Sequence, residues 1–162
     1  MLLVEPLKPQ QHDRDSFSCG EPSLDAYLRQ QAAQHHRDGI STTHVLVDDA
    51  DPARILGYYS LSAAQLLLTD LQESDRKRLP NYPVPAIRIG RLAVSAGEQG
   101  KGHGEYLLAN AVMLCRMLRE QLGVRVLLVD ALNEKAASFY RAYGFRETAD
   151  QARTLYLPLG RN

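Results

Sequence analysis

Three glycines at alternating positions, Gly100, Gly102 and Gly104, stand directly before a long apolar-periodic stretch, with Gln99, Lys101 and His103 set among them. Glycine lets a backbone approach a ligand closely and take up conformations that other residues avoid. A helix beginning there offers unpaired N–H groups and partial positive charge, a setting that suits a phosphate, and Lys101 adds a full charge beside it. Two phosphate-binding loops do not fit. The Walker pattern requires Ser or Thr after its Gly-Lys, whereas Gly102 follows Lys101 here; the dinucleotide fingerprint G-x-G-x-x-G has a different spacing. A tight turn without a ligand is the plain alternative.

The elements that must position this loop follow from periodicity and punctuation. Residues 2–7 read as a first strand. A helix is expected over 23–38, capped by Ser23 and stopped by Gly39. Strands over 43–47 and 55–63 form an antiparallel hairpin around a turn of aspartates and Pro52. A short helix over 71–79 carries Arg76, Lys77 and Arg78, and Pro80, Pro83 and Pro85 then enforce a stiff connection. A strand over 86–94 leads into the glycine loop. The amphipathic helix that follows runs to 122, with Leu107, Leu108, Ala111, Val112, Cys115, Leu118 and Leu122 on one face and Gly123 as its stop. Residues 124–131 are almost continuously apolar, as in a buried central strand. A helix over 133–142 and a last strand over 154–159 complete an α/β protein, expected as one domain spanning 1–162. Its mixed central sheet has about six to seven strands, flanked by about four helices.

Composition narrows the class. The chain has 162 residues, 44% hydrophobic and 23% charged, which excludes global disorder. No apolar run nears the roughly 18 residues of a membrane span, and residues 1–6 lack the order of a signal peptide. Cys19 and Cys115 make no disulfide framework, and the His35-His36 pair has no metal-ligand spacing around it. The expectation is a cytoplasmic protein without a metal or a membrane. Its 19 basic and 19 acidic residues balance, but residues 1–75 hold 5 and 12 of them while residues 76–162 hold 14 and 7. The acidic and basic halves stand at −7 and +7, so a neutral total does not dismiss nucleic acid.

Two motifs carry a resemblance. Gln99, Gly102 and Gly104 fit Gln/Arg-x-x-Gly-x-Gly/Ala; Asn133, Ala136 and Tyr140, followed by Gly144-Phe145, fit Asn-x-x-Ala-x-x-x-Tyr and Gly-Phe. On these residues the chain resembles the GNAT superfamily of acyl-CoA-dependent N-acetyltransferases. The resemblance implies acetyl-CoA as co-substrate, its pyrophosphate on the loop Gln99, Gly100, Lys101, Gly102, His103 and Gly104. It implies that Leu92, Ala93 and Val94 offer their backbone to the pantetheine arm and acetyl carbonyl, with Asn133 and Ala136 near that arm. By the same resemblance Tyr140 is the general acid for the departing thiolate, and the Val94 N–H is placed to stabilise the oxyanion. Tyr143 is a possible second aromatic.

Residues 17–28, 57–61 and 89–94 further resemble the GNAT toxins of type II toxin–antitoxin systems. That resemblance implies acetylation of the α-amine of aminoacyl-tRNA, which blocks translation, a homodimer, and neutralisation by a ribbon-helix-helix antitoxin. An α-amine, with a pKa of roughly 7.7–8.0, needs no strong base, and neither His44 nor His103 stands out as one. Arg76, Lys77, Arg78 and Arg91 are the first candidates for tRNA contact; Arg88, Arg116, Arg119 and Arg141 are further basic residues. A small amine or a protein N-terminus as acceptor, or a noncatalytic acyl-CoA- or antitoxin-binding module, are the alternative readings.

Overall fold

A computed structural model describes residues 1–160. Seven strands form one mixed sheet in the order β1-β2-β3-β4-β5-β7-β6: β1 (Leu2–Pro6), β2 (Thr42–Asp48), β3 (Gly57–Leu66), β4 (Val84–Val94), β5 (Val126–Asp130), β6 (Arg146–Glu147) and β7 (Thr154–Pro158). Five α-helices accompany them: α1 (Pro22–Gln30), α2 (Ala32–Asp38), α3 (Glu73–Arg76), α4 (His103–Leu118) and α5 (Glu134–Ala142). The described residues form two compact units, one of Met1–Ser62 and Gly90–Ala111, the other of Ala63–Ile89 and residues 112–160. Strands β3 and β4 and helix α4 run through both.

In the first unit β1, β2 and β3 are antiparallel, with Val4 opposite Leu46 and Val45 opposite Tyr58. The face that carries Val45, Val47 and Tyr58 is closed by Tyr27, Leu28 and Ala32 of the two N-terminal helices. The expected helix over 23–38 is two helices, because Gln31 leaves helical geometry at φ −124°. Its start also differs. Glu21 occupies the N-cap and Pro22 the first turn, not Ser23 as cap; a residue that lacks an N–H and has φ already fixed fits there better than anywhere further in. Gly39 does end the pair, in the left-handed region at φ 74°.

In the second unit β5 is buried along its first four residues, which explains its uninterrupted apolar run. It pairs in parallel with β4, Ala86 to Ile89 against Val126 to Val129, and antiparallel with β7 on its other side. Strand β4 starts two residues earlier than expected and takes in Pro85, whose carbonyl accepts from the Arg125 N–H. The helix expected over 71–79 shrinks to the single turn of α3, since Lys77 and Arg78 turn out of it. Helix α4 ends at Leu118 rather than 122 and passes into turns before Gly123.

Within the first unit β3 and β4 approach closely at Gly57. A Cβ there lies 2.8 Å from the Ala93 carbonyl oxygen and 2.8 Å from a methyl of Leu107, so no side chain fits without moving backbone. At Gly90 the nearest atom is the small Ser60 hydroxyl, at 3.1 Å. Gly57→Ala is therefore expected to destabilise the fold by about 1–3 kcal/mol and Gly90→Ala by under about 1 kcal/mol, as read from urea midpoints at constant m.

Candidate functional site

The end of β4 and the glycine loop belong to the first unit. After Val94 the chain makes one 3-10 turn, Ala96–Glu98, and then two left-handed residues, Gly100 at φ 83° and Gly102 at φ 81°. L-residues avoid that region, so glycine at these two positions is a backbone requirement. Gly104 sits inside the first turn of α4. The first bond of the helix ladder runs from the Tyr106 N–H to the Gly102 carbonyl, 3.0 Å, so the amides of His103, Gly104 and Glu105 precede the ladder. A turn of glycines thus delivers the chain to a helix N-terminus whose first N–H groups have no intrahelical acceptor, which is the geometry of an anion cradle.

What holds this loop was not legible in the sequence. Glu98 accepts from Lys101 at 3.0 Å, from Arg54 at 3.0 Å and from the His103 ring at 3.3 Å. The Lys101 hydrogen bond, ahead of that from His103, keeps the Glu98 carboxyl below its usual value. Lys101 and His103, expected to face a phosphate, are thereby engaged with a carboxylate three and five residues earlier. Glu98 before Lys101 at i, i+3 was the available signal; Arg54, 44 positions away, left none. Gln99 turns inward in the same manner, donating to the Val94 carbonyl at 3.2 Å and the Cys19 carbonyl at 3.1 Å. It fastens the loop to the strand end that carries Leu92, Ala93 and Val94.

Arg91, also in this unit, sits over the buried ring of Tyr27, its Cζ 3.4 Å from the ring centroid. The Tyr27 hydroxyl is held by Ser41 at 2.7 Å and His35 at 3.0 Å, so the platform under the guanidinium is fixed. His44 stacks on Tyr59 at 5.0 Å between centroids, and burial lowers its pKa.

The second unit contains Tyr140. Asn133 caps α5 as expected, its side chain accepting from the Ala136 N–H at 2.9 Å, and Tyr140 follows two turns later. Its ring packs against Phe139 and Phe145, and the residue is 5% exposed. Five tyrosines are buried, and four have engaged hydroxyls: Tyr27 with Ser41, Tyr58 with the Leu24 carbonyl, Tyr59 with Asn110 and Tyr156 with Asp75. Tyr140 is the exception, bonding no group among the described residues. Burial raises its pKa, so it is a protonated phenol across the physiological range. Tyr143, at the end of α5, is half exposed and packs on Phe139.

Partners also sort the basic residues. Arg88 pairs with Asp130, Arg119 donates to the Leu159 and Gly160 carbonyls, and Arg141 bonds Glu134 and Glu147. Arg76, Lys77, Arg78 and Arg91 have no acidic partner among the described residues. In that respect they remain available to an external anion.

Residues 39–147 match the acetyltransferase (GNAT) domain family. Over 133 residues the chain is 40% identical to a tRNA-acetylating toxin of Mycobacterium tuberculosis, covering 82% of this chain and 78% of that protein. Among solved structures it is similar to AtaT complexed with acetyl-methionyl-tRNAfMet, with a TM-score of 0.91, 30% identity and 98% and 95% of the two chains covered. It is also similar to a tyrosine-to-phenylalanine mutant of the AtaT toxin bound to the C-terminus of the antitoxin AtaR and acetyl-CoA, with a TM-score of 0.82, 28% identity and coverage of 98% and 93%.

If main-chain amides do the binding at the loop, the two kinds of loop residue respond differently. Gly102→Ala is expected to weaken acetyl-CoA binding about tenfold, and Lys101→Ala by less than about threefold, in isothermal titration calorimetry. The reverse order would mean that the lysine charge, not the backbone, grips the ligand.

Proposed function

Because this chain belongs to the GNAT acetyltransferase family, we propose that it is a toxin that transfers the acetyl group of acetyl-CoA to the α-amine of aminoacyl-tRNA and so stops translation. The observation that carries the catalytic part is that Tyr140 is the one buried tyrosine whose hydroxyl bonds no group among the described residues. A tyrosine kept only for packing would find an acceptor, as the four others do.

The donor is acetyl-CoA. Its phosphates sit on the amides around Gly100, Gly102, His103 and Gly104, with Gln99 and Lys101 holding the loop in shape. The backbone of Leu92, Ala93 and Val94 takes its pantetheine arm. The neutral amine attacks the thioester carbon, forming the C–N bond, and the Val94 N–H stabilises the oxyanion. On collapse the C–S bond breaks and Tyr140 gives its proton to the departing sulfur. Burial raises the phenol pKa, so Tyr140 keeps its proton until the sulfur departs. The amine loses its own proton to solvent; an α-amine is neutral often enough near pH 8 that no histidine is required.

For the acceptor, Arg91 and the segment Arg76, Lys77 and Arg78 contact tRNA, chiefly through phosphate. The similarity to a tRNA-acetylating toxin supports this acceptor over a small amine or a protein N-terminus. The whole of 1–162 then acts as one catalytic domain, as a homodimer in the cytoplasm, held in check by a ribbon-helix-helix antitoxin. No helix among the described residues is long and apolar enough to cross a membrane, and they hold no metal-binding cluster.

Incubation with labelled acetyl-CoA and charged total tRNA is expected to place label on the aminoacyl moiety of RNase-resistant fragments. Label on polyamines or peptides, with none on any tRNA, would sink the toxin reading. Tyr140→Phe is expected to lower kcat by at least about 100-fold and to leave acetyl-CoA affinity within about twofold. With an amide-linked charged tRNA, kcat/KM is expected to rise as pH passes roughly 7.7–8.0, where the amine loses its proton, and then stay level. No fall from Tyr140 comes before about pH 10, since its raised pKa keeps the proton in place.

A further inference from the structure

The basic segment is not a loose helix end. The Leu79 N–H bonds the Arg76 carbonyl at 3.2 Å, closing a four-residue turn in which Lys77 has φ −59° and ψ 135° and Arg78 has φ 67°. Those angles are of type II, whose third residue is normally glycine or asparagine. Arg78 is the one non-glycine residue with positive φ among the described residues. An arginine kept where glycine would relax the chain is a strained feature that its surroundings must impose, and such features gather at functional places.

The surroundings are visible within the second unit. Arg146 of β6 and Tyr156 of β7 stand directly opposite each other in their ladder. Both reach the carboxylate of Asp75, the residue before Arg76: Arg146 donates to one oxygen and the Tyr156 hydroxyl to the other. The same Tyr156 oxygen accepts the Gln72 N–H at 2.9 Å, the Gln72 side chain donates to the Glu147 carbonyl at 3.2 Å, and the Ala149 N–H donates to the Asp70 carbonyl at 2.9 Å. Residues 70–75 are thus stitched to the last two strands at four points and to the loop between them at a fifth. Burial by itself raises the Asp75 carboxyl, yet the bonds from Arg146 and Tyr156 outweigh it and hold the group ionised.

We propose that Asp75 is a positioning residue for the RNA substrate: gripped by Arg146 and Tyr156, it fixes the strained turn that presents Arg76, Lys77 and Arg78 to the phosphate backbone. The inference rests on the reading of that segment as a tRNA contact and deepens it. An anchored turn presents its charges without first losing conformational freedom, and an unanchored one carries the same charge but loses that freedom on binding.

The test has a sign that charge counting reverses. Asp75→Asn removes a negative charge beside a basic turn, so simple electrostatics strengthens tRNA binding, whereas loss of positioning weakens it. Asp75→Asn and Tyr156→Phe, neither of which changes side-chain volume much, are each expected to raise KM for charged tRNA about three- to tenfold. In both, kcat and KM for acetyl-CoA stay within about twofold and the thermal unfolding midpoint shows a folded protein. The triple substitution of Arg76, Lys77 and Arg78 by alanine serves as the reference, raising KM for tRNA and flattening its salt dependence. If the triple variant responds and the anchor variants bind tRNA as well as or better than the parent, Asp75 does not position the turn. Should the triple variant itself leave tRNA kinetics unchanged, the contact reading falls and the anchor with it. Parallel losses in kcat and in acetyl-CoA binding would make Asp75 a general structural residue and overturn the proposal.

Discussion

A backbone amide that must meet a ligand cannot be held in place by its own hydrogen bond. This constraint governs the first unit. The amides at the start of α4 have no acceptor in the helix, so the loop before them is secured from other directions. Gln99 ties it to the carbonyls of Val94 and Cys19, and Glu98 gathers Arg54, Lys101 and His103 around one carboxylate. Gly57 lets β3 come within contact of the Ala93 carbonyl, at the strand end from which the loop departs. The residues most closely identified with the motif are therefore partly scaffolding. Their side chains restrain a main chain whose first helical amides have no acceptor in the helix.

The same accounting separates four of the buried tyrosines from the fifth. A buried phenol normally finds an acceptor, because leaving its hydroxyl unpaired costs about 1–3 kcal/mol. Tyr27, Tyr58, Tyr59 and Tyr156 obey this, and each ties one segment of chain to another. Tyr140 has the apolar packing of a core residue, against Phe139 and Phe145, and its hydroxyl has no partner among the described residues. Its packing fixes where the hydroxyl is, and the absence of a partner leaves the proton available.

Charge follows a parallel logic. The basic half of the chain contains cations engaged in holding the fold together, such as Arg141 between Glu134 and Glu147, and cations with nothing to hold. Net charge cannot distinguish the two kinds. The turn at Arg76 to Arg78 shows the further step: its own side chains have no acidic partner among the described residues, while the acid beside it is fully engaged by Arg146 and Tyr156. Arg91 achieves a similar preorganisation by lying on an aromatic ring rather than by pairing with a carboxylate.

Much of the architecture was readable from local signals. Gly39 as a helix stop, Asn133 as a helix cap and the unbroken apolar run of β5 are each decided by neighbours within a few positions, and each appears where expected. The errors were also local in kind: Pro22 displaced Ser23 at a helix start, Gln31 split one helix into two, and the turn at Lys77 and Arg78 cut another short. The glycine spacing and the Asn-to-Tyr spacing pointed to the family, and hence to acetyl-CoA and to Tyr140, because the chemistry of that family is carried by short stretches of contiguous chain. Which groups are free to act was settled only by the tertiary structure. Glu98 meets Arg54 across 44 positions and Asp75 meets Tyr156 across 81, and no pattern along the chain foretells either meeting. Whether a charge or a hydroxyl is engaged or available depends on its neighbours in space, and folding alone chooses those neighbours.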